Sequence, residues 1–190
     1  MRQRLMLLAS FSAVLVFTAL YFVVSAGATS ANGFTATTLA KGTLAEFEVF
    51  NHAVLAGSTS KDDDDERRNV WMSLQKTKGS SDLYIQSNVW KPVDPITKAI
   101  ASTGWHSHPG HSLIIVTEGA ITDYESDDPA CKPQVYTTGM SFVDSGGTHV
   151  HIIRNEGNVE AATIAVQLIP AGATRRIDAP TAPANCPGIQ

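Results

Sequence analysis

The sequence is short of charge, of cysteine and of helical periodicity. Charged residues are 17% of the 190, and 14 Lys plus Arg stand against 18 Asp plus Glu for a net charge of −4. Basic residues adjoin only at Arg67-Arg68 and Arg175-Arg176, so there is no positive stripe for a phosphate backbone and nucleic acid is excluded as a partner. There is no G-x-S-x-G elbow and no Walker loop, and neither cysteine lies near a histidine in sequence; the usual signatures of an activated nucleophile or a nucleotide cradle are missing. Wholesale disorder, collagen-like repeats and a polytopic membrane protein are excluded too, because a 43% hydrophobic share is enough to build a core.

The longest apolar run lies at the N-terminus. Arg2 and Arg4 precede an almost unbroken stretch from Leu5 to Val24, followed by the small residues Ser25-Ala26-Gly27-Ala28. This is the layout of a secretory signal, with Ala26 and Ala28 as the small side chains before a cleavage point. Its length also suits a retained anchor, since about 20 helical residues rise about 30 Å. Either outcome places the domain outside the cytoplasm, periplasmic or extracellular, touching a membrane only through residues 5–24 if the segment stays. The two cysteines agree with export. Cys131 lies in the polar stretch Asp127-Asp128-Pro129-Ala130 and Cys186 near the C-terminus, and an even pair in loops of an exported chain is expected to form a disulfide, worth about 4 kcal/mol on the chain-entropy account.

From Thr35 onward, runs of four to nine apolar-rich residues alternate with Gly, Pro, Asp and Asn. This predicts an all-β domain, a sandwich or barrel, because only closure or face-to-face packing removes so many strand edges. The run Leu113-Ile114-Ile115-Val116 is apolar on both faces and predicts a strand covered on each side. The acidic segment Lys61 to Arg68 reads as a solvated loop. The expected division is residues 1–28 as signal or anchor, 29–170 as the β domain and 171–190 as an irregular tail pinned by Cys186.

Five of six histidines fall in two clusters, His106, His108 and His111, and His149 with His151. On a strand, residues i and i+2 share a face, so each H-x-H presents two imidazoles to one side. If the two strands face each other, ring nitrogens converge as a first-row metal requires. His52 is isolated and reads as a surface or hydrogen-bonded residue. Trp105, next to His106, is expected at a pocket mouth, while Trp71 and Trp90 are expected to pack.

These residues resemble the two cupin motifs. The stretch His106-x-His108-Pro109-Gly110, Glu118-Gly119, Gly139, and His151-x-x-x-Asn155 with Gly157 follows G-x5-H-x-H-x3or4-E-x6-G and G-x5-P-x-G-x2-H-x3-N. The chain departs from them in several places. Ser112 stands where the glutamate belongs, Gly104 is too close to His106, Ser145 replaces proline, and His151 lies one residue further from Gly147. The resemblance implies a cupin-like jelly-roll, a double-stranded β-helix, holding one divalent transition metal through His106, His108 and His151. His111, His149 and Ser112 are second-rank metal or pocket candidates. Three neutral nitrogens without a carboxylate favour zinc, with iron, manganese or nickel as alternatives. Tyr124, Tyr136 and Asp144 are the candidate acids or bases. Two functions stay open, a metal-dependent protein acting on a small carbonyl or carboxylate compound, and a non-catalytic cupin binding a small molecule or carbohydrate without a metal. The expected partner is a small molecule, and a homodimer is an open alternative to the monomer.

Overall fold

The computed structural model describes residues 29–54 and 70–190. The N-terminal apolar segment and the acidic stretch Lys61 to Arg68 lie outside the described residues. Among the described residues thirteen strands follow one another: β1 Phe34–Leu44, β2 Glu48–Val54, β3 Val70–Lys76, β4 Ser81–Trp90, β5 Ala101–Ser102, β6 His106–Ser107, β7 Ser112–Glu118, β8 Ala120–Glu125, β9 Gln134–Thr137, β10 Ser141–Asp144, β11 His151–Asn155, β12 Ala161–Pro170 and β13 Ile177–Asp178. Among the described residues no helix is long and apolar enough to cross a membrane.

The strands form two antiparallel sheets, ordered β1-β4-β12-β7-β10 and β13-β6-β11-β8-β9, with β5 also paired to β11 and the β2–β3 hairpin standing apart. Strands adjacent in space come from distant parts of the chain, the crossing order of a jelly roll. Alternation puts Trp90, Val116, Ile121, Ile153 and Ala161 between the sheets, with Phe34, Tyr136 and Phe142 packed against them. Each large apolar side chain taken out of water there contributes about 1.5–3 kcal/mol. This cluster plugs one end of the interior. The other end is polar, lined by Gln86, Gln167, Ser112, Asp144 and three histidines.

The strand covered on both faces is β11, not β7. Every residue of β11 is buried, whereas Leu113 and Ile115 on β7 are 52% and 43% exposed. The cause is the C-terminal segment. Cys131 and Cys186 are joined by a disulfide, and the segment it pins lays Ala179, Ala182 and Ile189 over Trp105, Tyr124 and Ile152 on the outer face of the second sheet. On β7, Leu113 borders a cleft with Leu44, Phe47 and Gln75, and Ile115 stays partly open. The C-terminal stretch is also less irregular than its composition suggests, because Ile177 and Asp178 pair with Ser107 and His106 as a further strand. Trp105 is fully buried in this outer cluster, where its indole N–H donates to Ile189 O at 2.8 Å. It packs beneath the tail rather than framing a pocket mouth. Trp90 does pack, and also lines the cavity between the sheets, while Trp71 on the hairpin is largely exposed.

Two glycines bring the site's loops together. A Cβ on Gly110 would stand 2.1 Å from Leu168 O, and one on Gly146, whose φ is +65°, would stand 2.2 Å from Gly110 O. Only glycine permits that double approach. It seats the turn after His108 against the turn before β11, where Gly147 N donates to His108 O at 2.6 Å.

Candidate metal centre

His106 and His151 are direct partners across the β6–β11 pairing, and His108 follows two residues on, so strand parity turns all three rings inward. The ring centroids of His106 lie 4.8 Å from His108 and 4.6 Å from His151, and His108 to His151 is 6.0 Å. One nitrogen from each ring lies within 4.8 Å of the others, and all three residues are buried.

Protonation of these rings follows from their partners. His106 Nδ1 is 2.8 Å from Gly104 O, and His108 Nδ1 is 2.6 Å from Arg175 O. A carbonyl oxygen can only accept, so both Nδ1 atoms carry the proton, and in the neutral ring Nε2 is left with a free lone pair. Neutrality is secured by the surroundings. Burial holds His106 well below the usual imidazole value, and the nearby His151, Arg176 and His108 add to the effect. Burial also pushes His108 down to about 4, against the opposing influence of its Arg175 hydrogen bond and of Asp144. His151 differs. Burial lowers it, but Asp123, Asp144 and Glu125 together outweigh burial and leave it raised.

The cluster fits a cation. His151 Nδ1 faces the buried Asp123 Oδ1 at 3.4 Å, while its Nε2 is buried without a hydrogen-bond partner, a state that costs free energy unless another group completes it. Asp144 adds the missing charge. It is 2% exposed, its Oδ2 lies 3.8 Å from His108 Nε2, and it groups within 4.8 Å of donor atoms on His149 and His151. That separation is too long for a hydrogen bond and leaves space for an ion between carboxylate and imidazole.

Ser112 and Asp144 are direct partners in the β7–β10 register, and Ser112 Oγ donates to Asp144 Oδ2 at 3.3 Å. Where the cupin motif has a glutamate on the first of these strands, this chain has a hydroxyl, and the carboxylate stands opposite it on the next strand. Asp144, in sequence only an acid or base candidate, stands beside the ligands. The signal was the vacated glutamate position, but only the register names the residue that fills the space.

The remaining candidates separate cleanly. Ser112 is buried and lines the cavity. His149 sits at the rim, 5.9 Å from the His151 ring and beside Asp127 and Glu125. His111 is a correction: past Pro109-Gly110 its ring turns to the other side of the sheet, 3.4 Å from Gln75 Nε2 on the hairpin, and it does not line the cavity. Tyr124 faces the outer cluster and donates to Glu156, and Tyr136 packs in the apolar core. His52 is exposed on β2. His111→Ala and His52→Ala are therefore expected to leave bound metal per chain unchanged, measured by elemental analysis of desalted protein.

The cavity around the triad has a volume of about 230 Å³ and reaches from Trp90 and Phe34 at the apolar end to Arg175 and Arg176 at the other. Asp144 is its one acidic side chain among the described residues.

Fold and site together define a jelly-roll barrel with a histidine cluster on its inner wall, which is the fold of the cupins whose motifs the sequence resembles. No family model and no curated protein matches the sequence. Among solved structures, a cupin-like protein from Thermotoga maritima is 21% identical over 51% of this chain and 64% of its own, with a TM-score of 0.39. Peruvianin-I, a cysteine peptidase from Thevetia peruviana latex, is 26% identical over 45% and 49%, with a TM-score of 0.36. An oxalate oxidase is 19% identical over 47% and 46%, with a TM-score of 0.37. This chain thus spans about half the length of the last two. These likenesses are partial, and the architecture stands on the strand pairing itself.

Proposed function

We propose that this chain is an exported cupin-type protein that holds one divalent transition metal through His106, His108 and His151, with Asp144 beside them, and takes a small carbonyl or carboxylate compound into the adjoining cavity. The observation that carries the metal is the pair of free Nε2 lone pairs on His106 and His108 set against the unpartnered, buried Nε2 of His151, whose Nδ1 faces Asp123. Export is supported by the N-terminal sequence pattern and by the disulfide. Three imidazoles and one carboxylate suit zinc, iron, manganese and nickel alike.

Such an ion, when bound, polarises a carbonyl or carboxylate oxygen and acidifies bound water. The chain's own residues do the rest. Gly104 O and Arg175 O orient two of the rings, and such outer contacts raise ligand basicity. Trp90, Phe34 and Ile153 close the inner end of the cavity against water. Asp144 receives Gly146 N on Oδ1 and Ser112 Oγ on Oδ2. These two hydrogen bonds fix the direction of the carboxylate, which keeps a binding role alongside a catalytic one.

Protein refolded with excess zinc, nickel, manganese or ferrous iron and then desalted is expected to retain about one ion per chain. Retention of none of the four would remove the metal reading. The pH dependence follows from the rings. Below the ordinary imidazole value His106 and His108 stay neutral, so protons compete with the ion mainly at His151, whose pKa is raised. Affinity should fall about tenfold per pH unit through that range, one proton per ion, and steepen as pH approaches the His108 value of about 4. A slope of three protons between pH 5 and 6.5 in competition titrations would show that the rings are not held neutral.

A further inference from the structure

The tail carries two neighbouring arginines into the cavity lining, and their circumstances differ. Arg176 is engaged, with Nε donating to Asp178 Oδ1 and Nη2 to Thr103 O. Arg175 is half-buried, and its guanidinium has no hydrogen bond or ion pair to any described residue, while its backbone oxygen is committed to His108 Nδ1. Burial, then the charge of Arg176, lowers its pKa against the opposing influence of Tyr84. A cation taken partly out of water without a counter-charge is costly unless a ligand supplies one. Asp144 is the one acidic side chain of the lining among the described residues, and it faces His108 rather than Arg175.

A second group in the same lining is unfinished. Gln167 is 2% exposed, its Nε2 donates to Ser112 Oγ at 3.1 Å, and its Oε1 is buried with no donor. An orphaned acceptor calls for an O–H or N–H from a ligand or water. The cavity volume of about 230 Å³ limits the occupant to a small molecule.

Resting on the metal-site reading above, we infer that Arg175 is the anion anchor of this cavity, and that its ligand is a small hydroxy-carboxylate whose carboxylate meets the Arg175 guanidinium and whose hydroxyl donates to Gln167 Oε1. Arginine suits the task because its planar fork binds a carboxylate through two parallel hydrogen bonds. The backbone carbonyl of Arg175 holds a metal-ligating ring, so the same residue ties the anion's position to that of the ion.

The test is calorimetric titration of the full chain, zinc-loaded and chelator-stripped, with lactate, propionate and lactamide. Lactate is expected to bind best, and lactamide about tenfold or more weaker for want of charge. Arg175→Gln should erase the difference between acid and amide, Arg175→Lys should restore part of it, and Lys91→Gln, a charge removed from an exposed position, should change nothing. Gln167→Met should narrow the preference of lactate over propionate. Zinc stoichiometry should survive in Arg175→Gln, because the backbone carbonyl that holds His108 remains. If Arg175→Gln keeps its zinc and binds lactate as the wild type does, or if the zinc-loaded protein binds no lactate, the anchor is overturned and the metal reading stands. If the protein retains no zinc yet binds lactate in an Arg175-dependent way, the anchor stands and the metal reading falls.

Discussion

His108→Ala is expected to abolish stoichiometric metal binding, weakening it by more than about 100-fold at neutral pH. Loss of an outer hydrogen bond to a ligand typically costs 10–100-fold, and here a donor atom itself is removed. His108 offers Nε2 as a bare lone pair because Arg175 O fixes the proton on Nδ1 and burial keeps the ring neutral. Without it, two imidazoles and Asp144 remain, with the Asp144 oxygens already receiving Gly146 N and Ser112 Oγ. The fold should tolerate the change, since His108 lies past the end of β6 and the apolar core is elsewhere. Elemental analysis and competition with a chromophoric chelator, alongside circular dichroism, provide the measurement. One equivalent of tightly held metal in folded His108→Ala protein would contradict the assignment. His149→Ala, at the rim, should lower affinity far less, and an equal loss there would shift the centre towards His149, His151 and Asp144.

Removing the disulfide should have the next largest effect. Cys131 and Cys186 close a loop with a sequence separation of 55, and the chain-entropy account assigns such a crosslink about 4 kcal/mol. For a domain of this size that lowers Tm by about 8–16 °C. The consequence reaches the site, because the pinned segment supplies β13, which pairs with His106 and Ser107, and the Arg175 carbonyl that orients His108. The double variant Cys131→Ser, Cys186→Ser is therefore expected to lose about tenfold in zinc affinity along with thermal stability. An unchanged Tm would mean the tail is held without the crosslink. A lower Tm with unchanged zinc affinity would mean the tail does not support the rings.

Much of this was legible before any coordinates. The His106-x-His108 pair announced inward-facing imidazoles because a strand's period of two is local, whereas His149 lies before β11 begins and stays at the rim; the turn residues announced many short antiparallel strands. Two expectations failed for one common reason. The run Leu113-Ile114-Ile115-Val116 has the composition of a doubly covered strand, yet half of it faces outward, while β11, with His151, Arg154 and Asn155, is buried throughout. Covering depends on what a distant segment does, and here that segment is the disulfide-pinned tail. The same tail covers Trp105, which would otherwise stand at the surface beside His106.

By itself the sequence determined the all-β class, the two histidine clusters and the parity that turns His106 and His108 to one side, since each rests on short-range periodicity, while the pairing of β6 with β11 set His151 beside them. Tertiary structure alone decided the rest. Pairing β7 with β10 placed Asp144 opposite Ser112 and so returned a carboxylate to a site that reads as neutral. The chain's break at Pro109-Gly110 turned His111 away to Gln75, and the returning tail brought Arg175 into the cavity. The physical reason is that side-chain direction along one strand repeats over a few ångströms of backbone, whereas register between strands and the docking of a tail are set by contacts between residues dozens of positions apart.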